Sequence, residues 1–289
     1  MAEIKLYGID VSKWQGNIDW KAVKADGVQF AILRAGYGRE ARQKDETFEA
    51  NYKGCKANGI PCGIYWYSYA TTPEDAVTEA KTCLEVIKGK KFEYPIYFDL
   101  EEKKQLDLGK AACTAIAKAF LETVEKAGYW VGLYMSKSHL ETYITEEVRN
   151  RYAVWVAHYE VSKTTYKGQY GIWQKSSTGK VKGIDGNVDL NECYIDYPAE
   201  IKKAGRNGFE KVTVPAPAPN KKTEKPVAKP VAKPAEPAYI DYTVKRGDTL
   251  WDIAAKYLGD GRKYKQIMYA SGITSETIYP KQKLKIPRK

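Results

Sequence analysis

The sequence predicts an α/β protein, a parallel barrel of alternating strands and helices followed by a small second domain. Eight apolar, strand-like runs occupy residues 6–11, 29–35, 63–69, 94–100, 130–135, 153–157, 171–174 and 187–190. Helical patterns lie between the earlier runs, and eight strands in such alternation are typical of a TIM-like barrel. The last three connections, after Tyr152, are too short for full helices, so we expect an irregular barrel there.

Two of the intervening segments carry clear helical signals. The stretch TPED at 72–75 supplies a cap residue, a first-turn proline and two acids, which is the pattern of a helix start. Farther along, Ile116, Phe120 and Val124 place an apolar side chain at every fourth position. That period predicts a helix with one face against the sheet.

A proline-rich stretch marks the boundary between the two domains. Residues 213–238 hold seven of the 13 prolines and no periodic apolar face, which is typical of an extended spacer. We therefore expect a main domain at 1–212, a linker at 213–238 and a second domain at 239–289. Residues 1–212 carry 31 basic and 29 acidic side chains, whereas 213–289 carry 16 and 7, so the basic end should favour an anionic partner.

Composition indicates a globular protein with one large core. Of the 289 residues, 43% are hydrophobic and 12% aromatic. The many tyrosines and tryptophans suit the faces of sugar rings, although ordinary half-buried packing explains them equally well. The five cysteines show no C-x-x-C spacing, so we expect reduced thiols in the core. They are Cys55, Cys62, Cys83, Cys113 and Cys193.

The start of the chain runs directly into a strand without an apolar stretch behind a basic head. We therefore expect no signal peptide and synthesis in the cytoplasm. No segment reaches about 18 apolar residues, so membrane insertion is not expected.

The stretch YPIYFDLEE at 94–102 places Asp99 and Glu101 one residue apart at the end of an apolar run. Alternation along a strand points both carboxyls the same way, roughly 7 Å apart. Such like charges favour one acid staying protonated near neutral pH, as glycosidases require. Asp10 and Asp189 lie in the first and last runs, so four acids should meet at the barrel mouth. For each acid alone, a strand-end cap or a partner for Arg34 is the alternative.

The chain offers few residues for metal-dependent or nucleotide-dependent chemistry. It has only two histidines, His139 and His158, and neither an HxxH nor an HExxH pattern, so we expect no metal. No phosphate-binding glycine motif occurs, so we expect no cofactor.

Several motifs, in order, resemble those of glycoside hydrolase family 25, the Chalaropsis-type lysozymes found in many phage endolysins. They are GIDVSKWQGNIDW, GIYWYSYA, YFDLE, GLYMS, WVAHY and IWQKSSTGKVKGIDGNVDLN, and the likeness covers roughly residues 4–197. The resemblance implies a (β/α)5(β)3 barrel. It also implies hydrolysis of the β-1,4 bond between N-acetylmuramic acid and N-acetylglucosamine in peptidoglycan.

The resemblance assigns roles to the acids. Glu101 is similar to the general acid, and Asp99 to the ionised neighbour that orients or stabilises the 2-acetamido group as it attacks the anomeric carbon. Asp10 and Asp189 would tune charge and hold sugar hydroxyls. Retention and inversion both remain open, because the outcome depends on a carboxylate separation in space.

Aromatic side chains are candidates for the walls of the groove. Tyr65 and Tyr67 share a strand face, and Tyr134 and Trp155 join them as predicted substrate-binding residues, with ordinary barrel packing as the alternative. Arg34, which ends the second run, could orient Asp10 or Asp99. Trp14 and Trp20 are expected to be packing anchors.

The C-terminal segment resembles a LysM module, a βααβ unit, through YTVKRGDTLWDIA and IYPKQKLKIP. We expect helices at 249–257, capped by Asp248, and at about 263–270. The expected core is Val244, Leu250, Ile253, Ile267, Ile278, Leu284 and Ile286. The resemblance places glycan binding at Gly247, Asp248, Thr249, Leu250, Ser271, Gly272, Ile273 and Ile278. Ser271 stands where many modules have asparagine.

Together these features predict a cell-wall muramidase held on peptidoglycan by its LysM module, with anionic wall polymers as a further, salt-sensitive partner. A phage or prophage endolysin released by a holin fits the absence of a signal peptide. A catalytically dead glycan-binding protein is one alternative, which loss of turbidity in a cell suspension would exclude. A nucleic-acid-binding protein is the other, and we expect no nucleic-acid partner, because the basic end carries the LysM signature.

Overall fold

The computed structural model describes residues 4–211, 239–245, 248–271, 273, 278 and 282–287. They belong to two compact units, one within residues 1–217 and the other within 218–289. The predicted linker at 213–238 lies outside the described residues, so the three domain boundaries remain predictions.

The first unit is a closed barrel of eight strands, each paired with its neighbours in sequence order. The strands are β1 (Leu6–Val11), β2 (Phe30–Tyr37), β3 (Cys62–Tyr67), β4 (Ile96–Asp99), β5 (Val131–Ser136), β6 (Ala153–Ala157), β7 (Ile172–Gly179) and β8 (Val188–Cys193). Strands β1 to β7 run parallel, whereas β8 is antiparallel to both β7 and β1. The predicted number and order of strands are confirmed.

Helices surround this barrel unevenly. They are α1 (Trp20–Ala25), α2 (Phe48–Ala57), α3 (Pro73–Ile87), α4 (Lys103–Leu106), α5 (Gly109–Lys126), α6 (Lys137–Tyr143), α7 (Glu146–Arg151) and α8 (Tyr197–Ala204). Each of the first five strands is followed by a helix, whereas residues 158–171 and 180–187, all described, contain none. The barrel is therefore (β/α)5(β)3, irregular where the short connections predicted it.

The two predicted helices are present as α3 and α5. The Thr72 hydroxyl caps α3 by accepting a hydrogen bond from the backbone nitrogen of Asp75 at 3.1 Å. Ile116, Phe120 and Val124 are fully buried on the inner face of α5. All five cysteines are buried and free, which confirms the prediction of reduced core thiols.

Large aromatic side chains fill the barrel below its carboxyl end. Phe30, Tyr97, Tyr134 and Trp155 belong to one buried cluster, and Tyr97 and Trp155 meet edge to face with ring centroids 5.2 Å apart. Gly132 is needed here, because a Cβ at that position would lie 2.4 Å from the ring of Tyr97. This packed floor supports the strand ends above it.

Glu79, in α3, is a carboxylic acid buried outside the four predicted site acids. Its Oε1 accepts a hydrogen bond from the backbone nitrogen of Tyr69 at 2.9 Å, and its Oε2 is buried without a partner. Burial raises the pKa of Glu79 from its ordinary 4.5 to about 7.

This burial predicts a pH-dependent stability that Glu79→Gln should remove. Since the folded pKa lies above the unfolded one, the stabilising contribution is fully present below about pH 4.5 and is lost as pH rises through about 7. The loss is on the order of 3 kcal/mol at most. Thermal unfolding from pH 4.5 to 8 measures it. Glu85→Gln, at an exposed position on the same helix, should retain the wild-type slope, and an unchanged slope in Glu79→Gln would contradict the assignment.

The second unit is a small βααβ fold. It contains β9 (Tyr239–Thr243), α9 (Leu250–Leu258), a 3₁₀ turn (Gly261–Lys263), α10 (Tyr264–Ser271) and β10 (Lys283–Pro287), with β9 and β10 antiparallel. The predicted core residues other than Ile278 are buried, and Ile278 packs against them partly exposed. The prediction that Asp248 caps α9 is wrong. Thr249 caps the helix by accepting from the backbone nitrogen of Asp252, whereas Asp248 accepts from Tyr242 Oη and the Lys245 nitrogen.

Across the described portions of both units, every helix is too short or too polar to cross a bilayer.

Candidate active site

The four predicted acids lie at one end of the barrel. Asp10 lies near the end of β1, Asp99 ends β4, and Glu101 follows two residues later. Asp189 lies near the start of β8, but β8 is antiparallel, so its start is at the rim where the parallel strands end. Asp10 and Asp189 are direct partners across the two strands. The sequence prediction of one shared mouth is therefore confirmed by the topology.

Asp10 and Asp189 form a carboxyl pair as direct partners across β1 and β8. Burial, followed by the charge of Asp189, raises the pKa of Asp10 well above its usual range, and burial also raises the pKa of Asp189. Two amides donate to Oδ2 of Asp10, Gln174 from Nε2 at 2.8 Å and Asn191 from Nδ2 at 2.7 Å. The pair is thus built to share a proton.

Asp99 and Glu101 form the second pair of acids. Asp99 is buried, and its Oδ1 has no hydrogen-bond partner. Burial and then the charges of Glu101 and Asp10 raise the pKa of Asp99 well above its usual range. Glu101 lies exposed at the mouth, where partial loss of hydration, Glu102 and Asp189 raise its pKa. An accessible carboxylic acid that resists ionisation is suited to donate a proton to a bound substrate.

Arg34 does not hydrogen-bond Asp10 or Asp99, contrary to the prediction. Its Nε donates instead to Oδ2 of Asp45 at 2.7 Å, and Asp45 also accepts from the backbone nitrogen of Lys13 at 3.1 Å. The guanidinium still opposes the rise in the pKa of Asp99 through its charge. Asp45, in the loop after β2, is the partner that the sequence prediction missed.

The predicted aromatic residues separate into a wall and a floor. Tyr65 and Tyr67 are half-buried, and the Tyr67 hydroxyl donates to Oε1 of Glu102 at 2.6 Å. Tyr134 and Trp155 are buried beneath the acids, with Trp155 only 1% exposed. The prediction that Trp155 lines the groove is wrong, because packing covers its ring and its indole donates to Asn191 Oδ1 at 2.8 Å.

Sequence reasoning missed the amides Gln174 and Asn191 and the mouth residue Tyr159, although all three lie in motifs that it singled out. The sequence feature that could have identified them is a polar side chain within a short strand or just after one. It also misplaced Trp14, predicted as a packing anchor, whose side chain is 76% exposed. Trp20, the other predicted anchor, is buried as expected.

In the second unit, most predicted glycan contacts already have internal roles. Leu250 belongs to the core, so its side chain is not a contact, contrary to the prediction. The Ser271 hydroxyl bonds both the nitrogen and the carbonyl oxygen of Lys285, at 2.8 and 3.3 Å. Asp248 and Thr249 close the turn and cap described above, and Ile273 and Ile278 pack partly exposed against the core. Gly247 and Gly272 lie outside the described residues.

A cluster of carboxyls at the mouth of a (β/α)5(β)3 barrel defines the site of a glycoside hydrolase. Residues 9–184 match the family model described as Glycosyl hydrolases family 25, and residues 242–287 match that of the LysM domain. The chain belongs to glycoside hydrolase family 25 and carries a LysM domain.

Three proteins illustrate the similarity. The autolytic lysozyme of Clostridium acetobutylicum is 29% identical over 187 residues, which is 64% of this chain and 55% of that protein. Among solved structures, the CTP1L endolysin superposes with a TM-score of 0.60 at 26% identity, covering 68% of this chain and 69% of that one. The modular autolysin LytC of Streptococcus pneumoniae, in complex with a synthetic peptidoglycan ligand, gives 0.59 at 30% identity, covering 66% and 47%.

Proposed function

We propose that this muramidase cleaves the β-1,4 bond between N-acetylmuramic acid and N-acetylglucosamine, with Glu101 as the general acid. The observation that carries the proposal is the pairing of an exposed Glu101, whose pKa is raised, with a buried Asp99 on the same strand end. A leaving sugar alkoxide is too basic to depart unprotonated, so a carboxyl that retains its proton is required beside the bond.

We assign Asp99 a second role in this reaction, at the 2-acetamido group of the substrate. Its buried Oδ1 has no internal hydrogen-bond partner, so it would accept a hydrogen bond from the N–H of a 2-acetamido group once the bound sugar reaches it. Asp99 must be ionised for this role, and its negative charge would then favour attack of the acetamido oxygen on the anomeric carbon. Asp10 and Asp189 would face the positive charge that develops on the ring.

Analysis of digested wall fragments tests the cleaved bond. Purified peptidoglycan is treated with the full chain, and the soluble products are reduced with borohydride and sequenced by mass spectrometry. We expect reduced muramic acid at the new ends. Reduced glucosamine ends, or cleavage only within stem peptides, would overturn the proposed bond.

We further propose that the LysM unit retains the enzyme on N-acetylglucosamine units of the wall. The match over residues 242–287 supports this, and the surplus of basic residues after 212 would add attraction to anionic wall polymers. Since Asp248, Thr249 and Ser271 are already hydrogen-bonded, we expect their backbone and flanking apolar surface to contact glycan.

Truncation after residue 212 should separate retention from catalysis. We expect at least about a tenfold loss of binding to insoluble peptidoglycan, because the tethered site is lost, while the rate on short soluble glycans changes little. Walls stripped of teichoic acid should retain the full chain at physiological salt, and DNA-cellulose should not. Equal retention of the full chain and the truncated chain on the wall would contradict the targeting role of the LysM unit.

A phage or prophage origin, with cytoplasmic synthesis and release through a holin, completes the proposal. Likeness to the CTP1L endolysin supports it. Expression inside a bacterium with and without a co-expressed holin tests release: lysis should require the holin. Lysis at the same time without the holin would contradict this route.

A further inference from the structure

Two buried amides donate to one oxygen of Asp10, and three aromatic side chains donate to the oxygens of those amides. The Tyr134 hydroxyl donates to Oε1 of Gln174 at 2.7 Å, and the Tyr159 hydroxyl donates to the same oxygen. The Trp155 indole donates to Oδ1 of Asn191 at 2.8 Å. The far ends of both amides then donate to Oδ2 of Asp10.

The indole fixes which end of Asn191 faces Asp10. An indole N–H can only donate, so the atom of Asn191 that it meets must be the carbonyl oxygen. The NH₂ group of Asn191 therefore points at Asp10. Gln174 lies in the same sense: two phenols donate to its oxygen, and its NH₂ group donates to Asp10.

Donors that cannot accept favour negative charge on the oxygen that they meet. Oδ2 of Asp10 receives two such donors, and Asp189 is the direct partner of Asp10 across β1 and β8. Two adjacent carboxyls of this kind lower their repulsion by holding one proton between them, which leaves one negative charge on the pair. A negative charge fixed in this way would stabilise the positive charge that forms at the anomeric carbon.

We propose that Gln174 and Asn191 are positioning residues that hold one negative charge on Oδ2 of Asp10 while Asp10 and Asp189 share one proton. This inference rests on the function proposed for the four acids. Tyr159 extends the network to the cleft surface, since its side chain is 39% exposed. The titratable groups that face Asp10 are Asp189 on β8, Asp99 on β4, Tyr65 on β3, Tyr134 on β5 and Tyr159 after β6.

Two substitutions of Gln174 should move the pH profile of kcat in opposite directions. Gln174→Met removes one donor from the charged oxygen, so the acidic limb should move to higher pH by about one unit. Gln174→Glu donates to Oδ2 only while the introduced carboxyl is protonated, so activity should peak at lower pH and fall earlier on the alkaline side. The assay is release of reducing sugar from purified peptidoglycan by the full chain.

Asn207→Gly is the matched control for a lost buried amide. Asn207 lies at the other end of the barrel, where it donates to the Tyr94 carbonyl at 2.8 Å and accepts from the Trp130 nitrogen. Its removal should lower Tm without shifting either limb. If both Gln174 variants lose activity but retain the wild-type pH limbs, the positioning role is overturned.

A second readout does not depend on turnover. Carbon NMR of labelled aspartate carboxyls in the resting full chain should show the ionisation of the Asp10–Asp189 pair at higher pH in Gln174→Met than in wild type. An unchanged titration would also overturn the inference. A fully active Glu101→Gln would instead refute the proposed function, so the two failures are distinguishable.

Discussion

Replacing Glu101 by glutamine is expected to lower kcat on peptidoglycan by about 10³-fold, because the amide has the same shape but no acidic proton to give. Reducing-sugar release measures the loss, and unchanged Tm shows that the fold is retained. Activity equal to wild type would remove Glu101 from its proposed role. Partial loss of hydration, followed by the charges of Glu102 and Asp189, raises the pKa of Glu101, so its proton is present at lower pH and is lost as pH rises through the folded pKa. We therefore expect the wild-type rate to fall on the alkaline side.

Glu102→Gln is the matched control for that result. Glu102 is the adjacent acid, and its charge contributes to the raised pKa of Glu101. The variant should keep most of its activity, while the alkaline limb moves to lower pH because Glu101 then ionises more readily. Complete inactivity of Glu102→Gln would indicate that Glu102, and not Glu101, is the general acid.

Replacing Asp99 by asparagine is expected to lower activity by about 100-fold and to raise stability at pH 7. Burial raises the pKa of Asp99 above its unfolded value, so the stability linked to its proton is lost as pH rises through the folded pKa. A neutral amide avoids that loss. Because one pKa unit corresponds to about 1.4 kcal/mol, we expect Tm to rise by about 3 °C or more.

The pH dependence of Tm checks this explanation. Below the unfolded pKa of about 3.8, where Asp99 is neutral in both the folded and the unfolded state, the Tm values of wild type and Asp99→Asn should converge. Asp185→Asn, at an exposed position, should match wild type at every pH. An Asp99→Asn protein that is both active and no more stable at pH 7 would show that Asp99 is neither strained nor catalytic.

The strands and the position of the acids could be predicted because they follow from local patterns. Apolar runs of the right length mark buried parallel strands, and the chain order of a barrel then brings their ends together. The antiparallel direction of β8 was not readable from residue type, although it decides why Asp189, near the start of its strand, reaches the mouth.

Two of the misplaced residues have a common cause, which is that partners distant in sequence compete for them. Arg34 donates a hydrogen bond to Asp45 instead of to a site acid, and Trp155 donates one to Asn191 instead of facing the groove. Trp14 has a different cause: it lies on the short 3₁₀ turn Lys13–Gln15, capped by Ser12, where its ring remains exposed. A single sequence shows the side chain and its strand but not which neighbouring residue becomes its hydrogen-bond partner.

The joining of β1 to β8 bears on how the enzyme is made. Because Asp10 is on the first strand and Asp189 on the last, all eight strands of the barrel must leave the ribosome before the two carboxyls can meet. A shorter nascent chain leaves open edges on β1 and β7 and lacks one half of the aspartate pair. Partly translated molecules should therefore be inert, which would spare the producing cell from premature damage.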